Sequence, residues 1–161
     1  MSIPAPFTSQ PYMIEAQWID YNGHFNMAYY NVLFDRDSDR VLSLLGLGPA
    51  YIRKTGNSYF TLEAHVTYLR ELRPEHQVKI DTQFLDCDKK RLHYVQTMRH
   101  ATEAWIACIS ENMVMHINMT AKKSSPFPDD ILEKLSAAHL AHAALPIPSQ
   151  VGHQIGIPKI R

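Results

Sequence analysis

Trp18-Ile19-Asp20-Tyr21-Asn22-Gly23-His24-Phe25-Asn26 leads directly into a run from about Met27 to Leu45, and the change of pattern between the two decides the fold. Within the run, Tyr30, Phe34, Val41, Leu42 and Leu45 fall near one stripe of a 3.6-residue period. Asp35-Arg36-Asp37 and Asp39-Arg40 lie mostly on the other side. The pattern predicts one long amphipathic helix. Asn26 stands where an N-cap belongs, and Gly46 where a left-handed residue ends a helix. The Asn22-Gly23 pair marks a turn just upstream. Before it, after Pro4, Pro6 and Pro11, Tyr12–Ile19 reads as a strand.

Beyond Gly56 the period becomes two. Phe60, Leu62, Ala64, Val66 and Tyr68 alternate with Thr61, Glu63, His65 and Thr67, as in a half-buried strand. Val78, Ile80, Thr82 and Phe84 alternate with Lys79, Asp81 and Gln83 in the next. Asp86-Cys87-Asp88-Lys89-Lys90 reads as a polar hairpin loop, followed by strands over Arg91–His100 and Ala104–Asn118. Strands following a single helix indicate α+β architecture, with an antiparallel sheet of about five strands curled around that helix. Asp129–Ala144 reads as an amphipathic helix with an acidic first turn, and the proline-marked end (Pro146, Pro148, Pro158) as extended chain. The expected organisation is one domain over residues 1–119, with an extension over 120–161 packed on it.

Composition removes several classes. The 161 residues carry sixteen Lys plus Arg against sixteen Asp plus Glu, a balance that argues against a nucleic-acid partner. No apolar run approaches the roughly 18–20 residues that span a bilayer, and the opening MSIPAPFTSQPYM lacks a signal-peptide pattern. Two cysteines, Cys87 and Cys108, make neither a disulfide framework nor a four-Cys zinc site. A cytoplasmic location is expected.

Asp20 sits three residues before a glycine, at the junction where the predicted helix exposes its unpaired N–H groups. Those groups and the positive end of the helix dipole favour a developing oxyanion. The arrangement suits acyl transfer, with a carboxylate attacking a carbonyl or activating water. An Asp that only caps a turn or the helix is the commoner occupant of such a position, and spacing alone leaves both readings open.

The element order and the string Asp20-Tyr21-Asn22-Gly23-His24-Phe25-Asn26 resemble the hotdog-fold acyl-CoA thioesterases of the 4-hydroxybenzoyl-CoA thioesterase type. Asp20, Gly23, His24, Asn26 and Tyr29 or Tyr30 stand where that group has its Asp, Gly, His, Asn and helix tyrosine. Tyr68-Leu69-Arg70 followed by Val78-Lys79-Ile80 resembles the group's second-strand signature, and the resemblance covers residues 10–120. Trp18–His24, Gly56–His65 and Asp88–His93 are similar, more narrowly, to the betainyl-CoA thioesterases of bacterial carnitine breakdown. The resemblance implies hydrolysis of betainyl-CoA to glycine betaine and CoA, with Asp20 as nucleophile or general base. It implies the backbone N–H of Met27 as oxyanion donor, and His24 beside them. It implies no metal and no cofactor other than the CoA thioester as substrate.

A trimethylammonium head is well held by aromatic faces. Trp18, Tyr21, Tyr29, Tyr30, Phe34, Tyr59 and Phe60 all lie near the loop in sequence, and periodicity favours a core role for Phe34 and Phe60. Trp18 is the first cage candidate, with Tyr21, Asn26, Tyr30, Asn57 and Glu63 as further substrate contacts. Lys89, Lys90 and Arg91 are candidates for the CoA phosphates, although a charged hairpin tip is commonly only solvated. His139 and His142, three apart on a helix, have no third ligand nearby. Glu111 shares a strand face with Trp105, Ile109 and Met113, where a buried acid needs a partner the sequence does not identify. Other acyl-CoA substrates, and a non-catalytic acyl-CoA-binding module, are the competing functions. An open sheet edge predicts a homodimer or a dimer of dimers, the partner's Asn57–His65 region completing the site.

Overall fold

Helix α1 runs over Met27–Leu44 in the computed structural model, which describes residues 3–157, and it buries Tyr30, Leu33, Phe34, Val41 and Leu42 against a curved sheet. Leu45 closes the helix, and Gly46 follows at φ 100°, a backbone region glycine enters without steric cost. The sheet is antiparallel throughout, and α+β is the observed class. Two-residue strands β1 (Phe7–Thr8) and β2 (Tyr12–Met13) open the chain. Helix α2 (Pro49–Thr55) follows α1. Then come β3 (Asn57–Tyr68), β4 (Gln77–Cys87), β5 (Arg91–His100), β6 (Ile106–Asn118), the two-residue β7 (Lys123–Ser124) and helix α3 (Asp129–His142). The order across the sheet is β1-β4-β5-β6-β3, with β2 also on β4 and β7 also on β6. Thus β4 is covered at its outer edge, whereas β3 is an open edge.

Three details depart from the sequence reading. The strand expected over Tyr12–Ile19 ends at Met13; Trp18 N–H donates to Glu15 O at 2.9 Å and Ile19 N–H to Ala16 O at 3.2 Å, closing a 3₁₀ turn over Ala16–Trp18. Helix α2 lies where no element was expected, although Gly48, Pro49 and Gly56 (φ 67°) form a Pro-first, Gly-last helix signature. The third is a β-bulge in β3 between Thr61 and Glu63. Before it Phe60 is opposite Met115; after it Glu63 is opposite Met113. Paired residues share a face, so the bulge moves Phe60 to the outer face beside Glu63 and His65, away from Ala64 and Val66. Phe60 is 47% exposed, and the core position expected for it is corrected; Phe34 is buried as expected.

The core has two lobes. One gathers Trp18, Phe25, Tyr30, Leu33, Phe34 and Leu72 with Val78, Ile80 and Met98. The other brings Ile131, Leu135 and Ala138 of α3 against Val41, Leu42, Phe84 and Val114. Between them sits a buried polar clamp. Asp37 is fully buried, accepting from Arg40 Nε at 2.8 Å and from Thr82 Oγ1 at 2.7 Å, which fastens α1 to β4. Gln96 Nε2 donates to Phe34 O at 3.0 Å, so β5 is fastened to the same helix. Both cysteines are free thiols; burial pushes the Cys108 thiol up to about 12, so it is protonated and inert at neutral pH.

His142 is buried at the end of α3. Its Nδ1 accepts from Phe84 N–H at 2.8 Å and its Nε2 donates to Pro4 O at 2.8 Å, so both ring nitrogens are spent on protein. Burial, with a smaller contribution from His139, holds its pKa below the ordinary 6.5. The unfolded chain therefore binds this proton more readily than the folded one. We expect the His142 contribution to stability to be complete above about pH 6.5 and to decline as pH falls toward the lower folded-state value. Urea unfolding between about pH 7 and pH 5 should show a smaller acid loss in His142→Gln than in the wild type. Asp37→Ala should cost about 3 kcal/mol in the same measurement, because Arg40 keeps its charge and loses its carboxylate.

Candidate functional site

The Asp20 loop is held closed by its own backbone. Ile19 bridges to Phe25, Asp20 N–H donates to His24 O at 2.9 Å, and Gly23 N–H donates to Asp20 O at 3.0 Å. Gly23 has φ 78°, which this tight reversal requires. The Asp20 carboxylate accepts through Oδ1 from Asn22 N–H at 2.8 Å and from His24 N–H at 3.3 Å. Its Oδ2 has no hydrogen-bond partner among the described residues. One oxygen is thus fixed by the loop while the other remains available.

Asn26 caps α1 as expected: its Oδ1 accepts from Ala28 N–H at 2.9 Å, and its own N–H donates to Trp18 O at 2.9 Å. The Met27 amide begins the helix and has no acceptor among the described residues. Asp20, Tyr21, Asn26 and Met27 line one cleft of about 530 Å³, together with Phe25, Tyr30, Tyr68 and Arg70. Carboxylate and helix N-terminus therefore share a single crevice. Tyr68 Oη donates to Met27 O at 3.2 Å, tying the end of β3 to the helix start. Tyr30 packs on Phe25 with ring centroids 4.4 Å apart, and burial pushes its phenol up to about 12. Tyr21, 98% exposed, stands at the mouth.

Other candidates lie elsewhere. Trp18 is buried beneath the loop, stacked on Tyr29 at 5.6 Å, with the Arg36 guanidinium 5.2 Å from its ring centre. The protein's own cation occupies the ring that was expected to hold a substrate cation, and Trp18 does not line the cleft. Trp18 lies in the 3₁₀ turn Ala16–Trp18, where a strand was expected. His24 turns its Nε2 to Glu71 Oε2 at 3.0 Å instead of lining the cleft. Arg73 foremost, and His24, hold the Glu71 carboxyl below its usual range. Asn57 begins β3, at the opposite end of that strand from Tyr68, and Glu63 lies on the outer sheet face; neither lines the cleft of its own chain.

Lys89, Lys90 and Arg91 are at the tip of the β4–β5 hairpin, about 30 Å along β4 from the end where the Asp20 loop docks. Arg91 there grips Asp88 Oδ2 with Nε at 2.8 Å and Nη2 at 2.6 Å. Glu111 acquires the partner that the sequence left unnamed, His93 Nε2 at 2.8 Å, from the neighbouring strand. Reasoning from sequence missed Glu71 as a cleft residue, and no local pattern marks it. Among the described residues no group of three or more His, Cys, Asp or Glu is placed to hold a metal, and no helix is long and apolar enough to cross a membrane.

A sheet wrapped on one long helix is the hotdog arrangement, and comparison with known proteins agrees. The thioesterase-like superfamily model matches residues 14–135, and the chain belongs to that family; it is a thioester hydrolase. It is 35% identical over 145 residues to betainyl-CoA thioesterase of Pseudomonas aeruginosa, covering 90% of this chain and 91% of that one. It is 33% identical to the L-carnitine dehydrogenase/betainyl-CoA thioesterase of Rhizobium meliloti, of which it covers 29%. Among solved structures, a hypothetical protein of Staphylococcus aureus in complex with CoA superposes with a TM-score of 0.91 at 30% identity, covering 98% of this chain and 99% of that one. Asn26→Ala should lower stability by about 1 kcal/mol and loosen the cleft with it, seen in thermal unfolding and in faster amide exchange at Ala28.

Proposed function

We propose that this chain is an acyl-CoA thioesterase that hydrolyses betainyl-CoA to glycine betaine and CoA, acting in the cytoplasm. The observation that carries the reading is the pairing, in one cleft, of an Asp20 oxygen free of protein partners with the uncommitted Met27 amide. Asp20 either takes a proton from the attacking water or attacks the thioester carbon itself, in which case water then hydrolyses the resulting Asp20 acyl anhydride, releasing the acid and restoring the carboxylate. The carbonyl oxygen gathers charge against the Met27 N–H, the C–S bond breaks, and the CoA sulfur leaves as thiolate to be protonated. Hydrolysis on this route draws on a carboxylate, a backbone amide and water, with no prosthetic group. The betainyl preference rests on likeness to the Pseudomonas relative. Tyr21, Phe25, Tyr30 and Tyr68, and not Trp18, are the aromatic residues lining the Asp20 cleft that can face a quaternary ammonium.

The working unit we propose is a homodimer joined along β3. This strand leaves a full row of backbone groups unpaired at the sheet edge, and Leu62 is 54% exposed on it. When two β3 strands pair antiparallel over their whole length, position 57 of one meets position 68 of the other. That register brings Asn57 of the second copy beside Tyr68 and the Asp20 cleft. It also brings the second copy's Lys89-Lys90-Arg91 hairpin to the same end of the sheet, within reach of CoA phosphates.

A second reading, a thioesterase for another short or aromatic acyl group, draws on the occupied Trp18 ring. Two measurements of thiol release decide. Asp20→Asn should lower kcat by a hundredfold or more, about the range for a lost general base, with the melting temperature unchanged; full activity removes Asp20 from the mechanism. Betainyl-CoA should exceed its neutral isostere 3,3-dimethylbutyryl-CoA about tenfold in kcat/KM; equal values favour the second reading.

A further inference from the structure

The chain after α3 follows a course that the hydrolytic site does not use. Leu145 O accepts from Gln83 Nε2 of β4 at 3.4 Å. Gly152 N–H then donates at 2.7 Å to Glu111 Oε2 on β6, whose other oxygen holds His93 of β5. Next, His153 stacks on His65 of β3, with ring centroids 6.0 Å apart. The tail is therefore a strap that crosses the outer face of the sheet from β4, over β6, to the open edge. Beneath it lies a cleft of about 590 Å³ between Glu63, His65, His93 and Glu111 on the sheet and His153 and Ile155 on the strap.

The strap is pinned along its length, yet its last described residues include two large apolar side chains in water. Ile155 is 90% and Ile157 94% exposed. Ile155 borders the cleft at its β3 side, beside Glu63 and His65 on the open edge of the sheet. We infer that Ile155 and Ile157 dock on the outer sheet face of a second copy of this chain, across the β3 edge. The inference rests on the β3-paired dimer proposed above. In the full-length register, position 65 meets position 60, so a strap lying over His65 is aimed at the partner's Phe60. The bulge in β3 turns that ring to the outer face, half exposed beside Met115. Two-fold symmetry repeats the exchange in the other direction, and the two clefts meet near Glu63.

Three proteins test this: the wild type, the double variant Ile155→Asp with Ile157→Asp, and a form with a photo-crosslinking benzophenone side chain at 155. Sedimentation equilibrium should show the dimer dissociation constant at least tenfold higher in the double variant. Its melting temperature and its thioesterase rate per chain, measured where it is fully dimeric, should match the wild type. Irradiation should join two chains into one covalent dimer. A dimeric wild type whose constant is unchanged in the double variant, with crosslinks confined within one chain, overturns the exchange and leaves the dimer standing. A wild type that is active as a monomer overturns the pairing and the exchange together.

Discussion

Everything at the candidate site depends on where α1 begins. An α-helix leaves its first N–H groups without partners, and here the Asn26 side chain satisfies the Ala28 amide and no more. The Met27 amide has no acceptor among the described residues. The loop before it spends its own backbone hydrogen bonds on closing a tight reversal, which fixes Asp20 beside that amide. Had the helix started two turns earlier, the same carboxylate would have become an ordinary N-terminal acid on a helix surface. The proposed chemistry thus follows from where the Asn26 side chain caps α1.

The sheet supplies the second constraint. Four long antiparallel strands bury one face on α1, while α3 fills the far lobe of the core. Both sheet edges could pair with another chain; β1 and β2 cover one of them, and β3 is left bare. A bare edge of twelve residues is long for a solitary protein, since it offers a template for any passing strand. Its bulge breaks the regular alternation, so only a partner matching that irregularity fits along the whole strand.

Much of this was legible in the residues. The helix Met27–Leu44 and the strands after it follow from periodicity, because each buries one stripe or one face. Asn26 as cap and Gly23 in the reversal follow from their local chemistry, and the Asp20–Met27 adjacency follows from those. What stayed hidden is tertiary. Trp18 looked like a cage residue because sequence proximity cannot show that Arg36, two helical turns and more downstream, already lies against its ring. Phe60 looked like core because a bulge is a property of strand pairing, absent from an alternating pattern. Glu111 found His93 on the adjacent strand through register, and no one-dimensional reading contains register.

His142 ties together parts of the chain that are farthest apart in order. One imidazole takes the amide of Phe84 and gives its proton to the carbonyl of Pro4, while Phe7 and Phe84 pack around its ring. The segment around Pro4, strand β4 and helix α3 consequently open as one cooperative unit. A protease reaching for the segment around Pro4 or for α3 therefore meets the resistance of the whole lobe.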